Sequence, residues 1–163
     1  MQAMLSTCRQ VEEQVGAIYR NLASYPGADR RLREIWRTMA EEEARHGERI
    51  QLLANRLQSV GLQDFRLEPQ RAQQLLARAA EILDDVQQQR LTVDQAIYVS
   101  VELEDSFMEV HLGYGAVDSH PDLQTLFKSL AEEDRRHTEA LKGYLQDMGS
   151  KSAPVFADPF EDS

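Results

Sequence analysis

The segment AEEEARH, residues 40–46, sets three glutamates in a row ahead of a histidine, and residues 131–137 read AEEDRRH, nearly the same phrase again. Each phrase lies within an apolar stripe of helical spacing. Residues at i, i+4, i+7, i+11 and i+14 share one face of a helix. That face reads Met39, Glu43, His46, Ile50, Leu53 around the first phrase and Leu130, Asp134, His137, Leu141, Tyr144 around the second. An acid and a histidine therefore interrupt two faces that should be buried. Glu41, Glu42, Arg45, Glu132, Glu133 and Arg136 fall on the sides that should be solvated.

The likeness extends far beyond seven residues. With one residue deleted, 12–53 slides onto 104–144. Glu12 falls on Glu104, Tyr19 on His111 and Leu22 on Tyr114; then Leu32 falls on Leu123, Trp36 on Phe127, Glu43 on Asp134 and His46 on His137. The chain holds two copies of one helical hairpin. Each copy has an acid on its first helix, within the stripes Cys8, Glu12, Val15, Tyr19, Leu22 and Ile97, Val101, Glu104, and an acid-x-x-His on its second.

Punctuation sets the remaining elements. A first helix occupies 5–25 and breaks at YPGAD; Asp29 caps a second that runs to about Val60, where Gly61 stops it. A third amphipathic segment spans 71–90, with Ala72, Leu75, Leu76, Ala79, Ile82, Leu83 and Val86 on one side. It packs across the bundle or makes a dimer contact. Thr92-x-x-Gln95 is a capping box that opens a helix to about Leu112. After a break over 113–120, a last helix runs from Pro121 to Met148 and ends at Gly149. No strand pattern competes. The expected fold is all-α: two antiparallel hairpins joined by a long crossover that contains an extra helix, which is one kind of four-helix bundle. One domain, 1–149, is followed by an irregular acidic tail, 150–163.

Composition narrows the function. A net charge of −10 opposes nucleic-acid binding, which needs a basic face. With Cys8 as the one cysteine, the chain can form neither an intrachain disulfide nor a four-cysteine metal site. No apolar run reaches the ~18 residues of a membrane span. The first residues lack the layout of a signal peptide, so the expected compartment is the cytoplasm. Four buried acids, Glu12, Glu43, Glu104 and Asp134, would repel one another, and no lysine or arginine shares their stripes. Two divalent metals balance four carboxylates, with His46 and His137 as neutral ligands. Mixed carboxylate and imidazole donors suit iron or manganese and also accommodate zinc.

This constellation resembles the ferritin-like di-iron carboxylate superfamily, particularly its rubrerythrin and bacterioferritin branch. EEEARHGERI, 41–50, is close to the second-helix signature of rubrerythrins, and the Glu12-to-Tyr19 spacing is similar to theirs. The likeness covers about 5–148. It implies a ferritin-like bundle in which Glu12, Glu43, His46, Glu104, Asp134 and His137 hold two iron ions, the acids of the two acid-x-x-His motifs bridging and the other two capping one metal each. It also implies an oxidoreductase of ferroxidase or peroxidase type that uses O2 or H2O2, or an iron-handling protein. A separate electron donor and a homo-oligomer, a dimer first, go with that reading. Two departures stand out: Asp134 replaces the family's usual Glu, and Phe107 stands three residues after Glu104, where peroxide-reducing rubrerythrins carry a further carboxylate. Cys8 alone supplies no rubredoxin-like centre. The departure at Asp134 and the apolar tail residues Val155, Phe156 and Phe160 keep an alternative open, a ferritin-like scaffold with a degenerate or structural metal site that binds a partner. Tyr19 and His111 are possible donors to the ligands, His111 being equally readable as a satisfied core histidine. Cys8, Trp36 and Phe127 read as core, and His120 as a helix-start residue.

Overall fold

Five helices follow one another along the chain: α1 (Gln2–Leu22), α2 (Arg30–Ser59), α3 (Gln70–Gln87), α4 (Val93–Ala116) and α5 (Pro121–Asp147). The structure, a computed structural model, describes residues 2–59, 70–116 and 120–149. The expected stop at Gly61, the connection after it and the tail 150–163 lie outside the described residues. No strand occurs among those described, as an all-α reading requires.

The capping chemistry starts the helices where the sequence places it. Asp29 Oδ1 accepts from Leu32 N at 2.8 Å, and Thr92 and Gln95 exchange two bonds, of 2.8 and 3.2 Å. His120 caps α5, its ring nitrogen accepting from Asp122 N. The turn between α1 and α2 reverses at Gly27, whose φ of 82° few residues other than glycine adopt. Three helices differ from expectation at their ends: α1 spans 2–22 and not 5–25, α3 stops at Gln87 and not at 90, and α4 continues four residues past Leu112. Gly113 and Gly115 read as a break, but Gly115 is a packing residue. A Cβ there would come within 3.3 Å of Lys128 Cγ and 3.6 Å of Phe127 Cβ, so its absence lets α4 lie close on α5.

Cross-helix contacts fix the register. Glu12 faces Gly47 and Gly16 faces Glu43, so α1 and α2 are antiparallel. Asp105 pairs with Thr138 and His111 with Asp134, so α4 and α5 are too. Arg49 reaches Ser129 and Arg31 reaches Asp147, setting α2 against α5. Tyr19 meets Glu104, which sets α1 against α4. The apolar stripes of these four helices meet in one core that includes Trp36, Phe107, Phe127 and Leu130. Cys8 is a buried part of it, and burial raises its thiol pKa far above the ordinary range; the core reading of this cysteine holds.

The crossover helix α3 lies against α1 and α4. Ala72, Leu75, Ala79, Ile82 and Val86 are buried, and Leu76 and Leu83 pack beside them, which is the face the sequence marks. Because Ile82 is 1% exposed, Ile82→Ala should lower the unfolding free energy by about 2–5 kcal/mol. Urea denaturation followed by circular dichroism measures it, and a shift under ~0.5 kcal/mol would mean that α3 is not part of the cooperative core.

Candidate metal centre

Every residue marked from the two repeats converges at the middle of the helix assembly. Glu12, Glu43, His46, Glu104, Asp134 and His137 are each at most 4% exposed, and Tyr19 and His111 are buried with them. Helix periodicity alone produces this: each site residue occupies a core position of its stripe, and the four stripes face one another.

Ligand-capable atoms form two groups. One comprises Glu12, Glu43 and His46, the other Glu43, Glu104 and His137, with the atoms of each group within 4.8 Å of one another. Either group could hold a metal ion, and Glu43 belongs to both. His46 Nδ1 lies 3.2 Å from Glu43 and 3.5 Å from Glu12; His137 Nδ1 lies 3.0 Å from Glu104 and 3.3 Å from Glu43. Three carboxylate oxygens here, both of Glu12 and Oε1 of Glu43, are fully buried and meet only imidazole nitrogens, at 3.1–3.5 Å and without good hydrogen-bond geometry. Burying charge so weakly partnered is costly. A cation removes that cost, so the donor set fits a metal.

The other nitrogen of each motif histidine is held from outside. His46 Nε2 lies 2.9 Å from Glu133, and His137 Nε2 bonds Glu42. The arrangement is reciprocal, since the acid just before each motif acid reaches the histidine of the other hairpin. Such partners orient a ligating ring and fix its tautomer. The expectation that Glu42 and Glu133 lie on solvated faces is corrected here, although Glu41, Arg45, Glu132 and Arg136 are exposed as expected. A signal was present, because Glu42–Glu43 and Glu133–Asp134 are themselves repeated in register.

Tyr19 and His111, equivalent in the two repeats, also play mirrored parts. The Tyr19 hydroxyl donates to Glu104, and His111 Nε2 lies 3.1 Å from Glu12. The symmetry breaks at the next atom. An imidazole has a second nitrogen, and His111 Nδ1 holds Asp134 Oδ2 at 2.7 Å. Asp134 is thereby in the cluster but in neither donor group. Glu→Asp and Tyr→His are thus one paired change, the shorter acid meeting the ring that can reach it. Sequence reasoning also missed Ser100, which is buried, accepts from Trp36 Nε1 at 3.1 Å and fixes that indole beside Tyr19.

Proton affinities follow from this crowding of acids. Burial disfavours a charged imidazole, but the surrounding carboxylates outweigh it, raising His111 to about 10 and His137 to about 11, and His46 further still. Burial raises Asp134 to about 6 against the opposing pull of His111. Burial would also raise Glu12, but the contacts from His111 and His46 prevail and hold it at about 2. Without a metal the centre thus balances its acids with protons on its histidines.

No protein-family model, no curated protein and no solved structure matches this chain. No described helix is long and apolar enough to cross a membrane. The site's own chemistry therefore carries the functional argument.

Proposed function

We propose that the chain is a ferritin-like four-helix bundle with a dinuclear metal centre, two iron ions held by Glu12, Glu43 and His46 and by Glu43, Glu104 and His137. The observation that carries this reading is the sharing of Glu43 between two buried donor groups, beside buried carboxylate oxygens that meet only imidazole nitrogens. When bound, such a pair of ions supplies redox chemistry toward O2 or H2O2, as in a ferroxidase or peroxidase. The chain's residues supply the rest. Glu42 and Glu133 orient the histidines, and Tyr19 holds Glu104 in place with its hydroxyl proton. The apolar walls, Trp36, Met39 and Leu130 among them, exclude bulk water and strengthen every charge interaction inside. His111 carries a nitrogen to Glu12 and another to Asp134, so it can hold a proton between two acids at the centre's edge.

The retraction of Asp134 onto His111 favours a second reading, a site that keeps its metal for stability while the protein binds a partner. Metal analysis of protein purified without chelator, followed by anaerobic reduction and exposure to O2, separates them. The oxidoreductase reading expects about two irons per chain and optical bands that change on oxidation. A single zinc, or iron inert to O2 and peroxide, overturns it.

A further inference from the structure

The two ends of the centre are not equally closed. At the His46 end, Arg49 spans from α2 to α5. It donates to Glu133 Oε1 at 2.7 Å and to Ser129 Oγ at 2.8 Å, and Ser129 also donates to Glu133 at 3.1 Å. Glu133, gripped in this way, covers the outer nitrogen of His46, which is 0% exposed.

The repeat gives each of these residues a counterpart at the other end. Glu133 answers to Glu42 and Ser129 to Thr38, while Arg49 answers to Ala140. A methyl group stands where the closing guanidinium would be. A groove of about 340 Å3 opens there between α2 and α5, lined by Thr38, Met39, Glu42, His137 and Ala140 among others. Apart from its bond to His137, Glu42 is gripped among the described residues by Arg45 of its own helix, at 3.4 Å, and its side chain is 28% exposed against 19% for Glu133. His137 lines this groove and is 4% exposed, against none for His46.

A second groove, of about 530 Å3 between α1 and α2, reaches Glu12 but is lined by Arg9 and Arg20. From the differences between the two histidine ends we infer that the centre exchanges divalent metal ions through the α2–α5 groove, with Glu42 as the acid that hands the ion inward past His137 to Glu43 and Glu104. Chemistry selects a cation over an anion. The innermost lining groups are a carboxylate and an imidazole, more carboxylates lie behind them, and the chain carries a net charge of −10. Two arginines also line the groove: Arg31 is paired with Asp147 at 2.7 Å, and Arg136 is exposed. The inference rests on the metal-site reading and adds a direction of entry that the reading does not contain.

Two substitutions exchange the ends. Ala140→Arg builds the missing closure within reach of Glu42 and Thr38; Arg49→Ala removes the existing one. Residue 140 is exposed on α5 and arginine is a good helix former, so the first variant should fold unchanged. The probe is Co(II), mixed with metal-free protein in stopped flow, with the amount bound at the end point measured separately. Ala140→Arg should slow uptake at least ~10-fold and leave the final amount of cobalt unchanged, whereas Arg49→Ala should not slow it. Unchanged uptake in Ala140→Arg, with normal final binding, overturns the groove as the route and leaves the metal site standing. An unmutated chain that binds no Co(II) overturns the metal site, and this inference with it.

Discussion

Glu43→Gln should empty both metal positions at once, while Glu12→Gln and Glu104→Gln should each weaken one. Glu43 is the single residue common to the two donor groups. Replacing it by an isosteric amide removes an anionic ligand from each group without opening a cavity. Disturbing an outer partner of a metal ligand typically costs 10–100-fold in affinity, and losing a shared ligand should cost at least ~100-fold at both positions. Anaerobic calorimetric titration with Fe(II) reads this directly. A Glu43→Gln protein that still binds one ion tightly would show that the two groups do not share this carboxylate.

Metal removal should lower the melting temperature, and the drop should widen as pH rises. Metal binding at a free concentration ~1,000 times Kd stabilises by about 4 kcal/mol per site, about 8–16 °C for a chain of this size. The pH dependence comes from the protons that replace the metal. His111 and His137 have folded pKa values of about 10 and 11 against an ordinary 6.5, so the stability they lend is full below pH 6.5 and is lost as pH climbs toward 10–11. Asp134, raised from 3.8 to about 6, acts in the same sense and has lost its contribution above pH 6. Glu12, held at about 2, contributes above its ordinary 4.5 and loses that contribution only as pH falls toward 2. Between pH 6.5 and 9.5, the metal-free protein should therefore melt progressively lower while the loaded protein changes little. Scanning calorimetry with and without chelator at both pH values tests this. Parallel pH profiles would mean that protons and metal do not compete for the same groups.

The placement of the candidate site was legible because helix periodicity is strict. An acid on an apolar stripe is buried wherever the helix packs, and the in-register repeat identified which acids those were. Side-chain reach was not legible. Glu42 and Glu133 stand about 100° round the helix from the motif acids, and spacing alone puts them toward solvent; their length carries them across the α2–α5 seam to a histidine of the other hairpin. The shorter Asp134 showed in the sequence as a departure, but its attachment to His111 depends on the distance between α4 and α5 at that level, which no single-helix pattern encodes. The extra length of α4 escaped for a related reason. Glycine is read as a breaker by default, and its use for close packing becomes visible only when Lys128 and Phe127 are seen opposite Gly115.

Because Asp134 is drawn onto His111, the two hairpins differ in self-sufficiency. Glu12, Glu43 and His46 all belong to α1 and α2, so the first hairpin brings a whole donor group within residues 2–59. The second hairpin brings Glu104 and His137 and must borrow Glu43 across the seam. Under the proposed metal centre, assembly would acquire an order in time: an ion would nucleate the amino-terminal half as soon as that half had emerged from the ribosome, and a second ion would then act as a clasp that recruits the carboxy-terminal half. Two copies of one hairpin would in this way become a template and its follower.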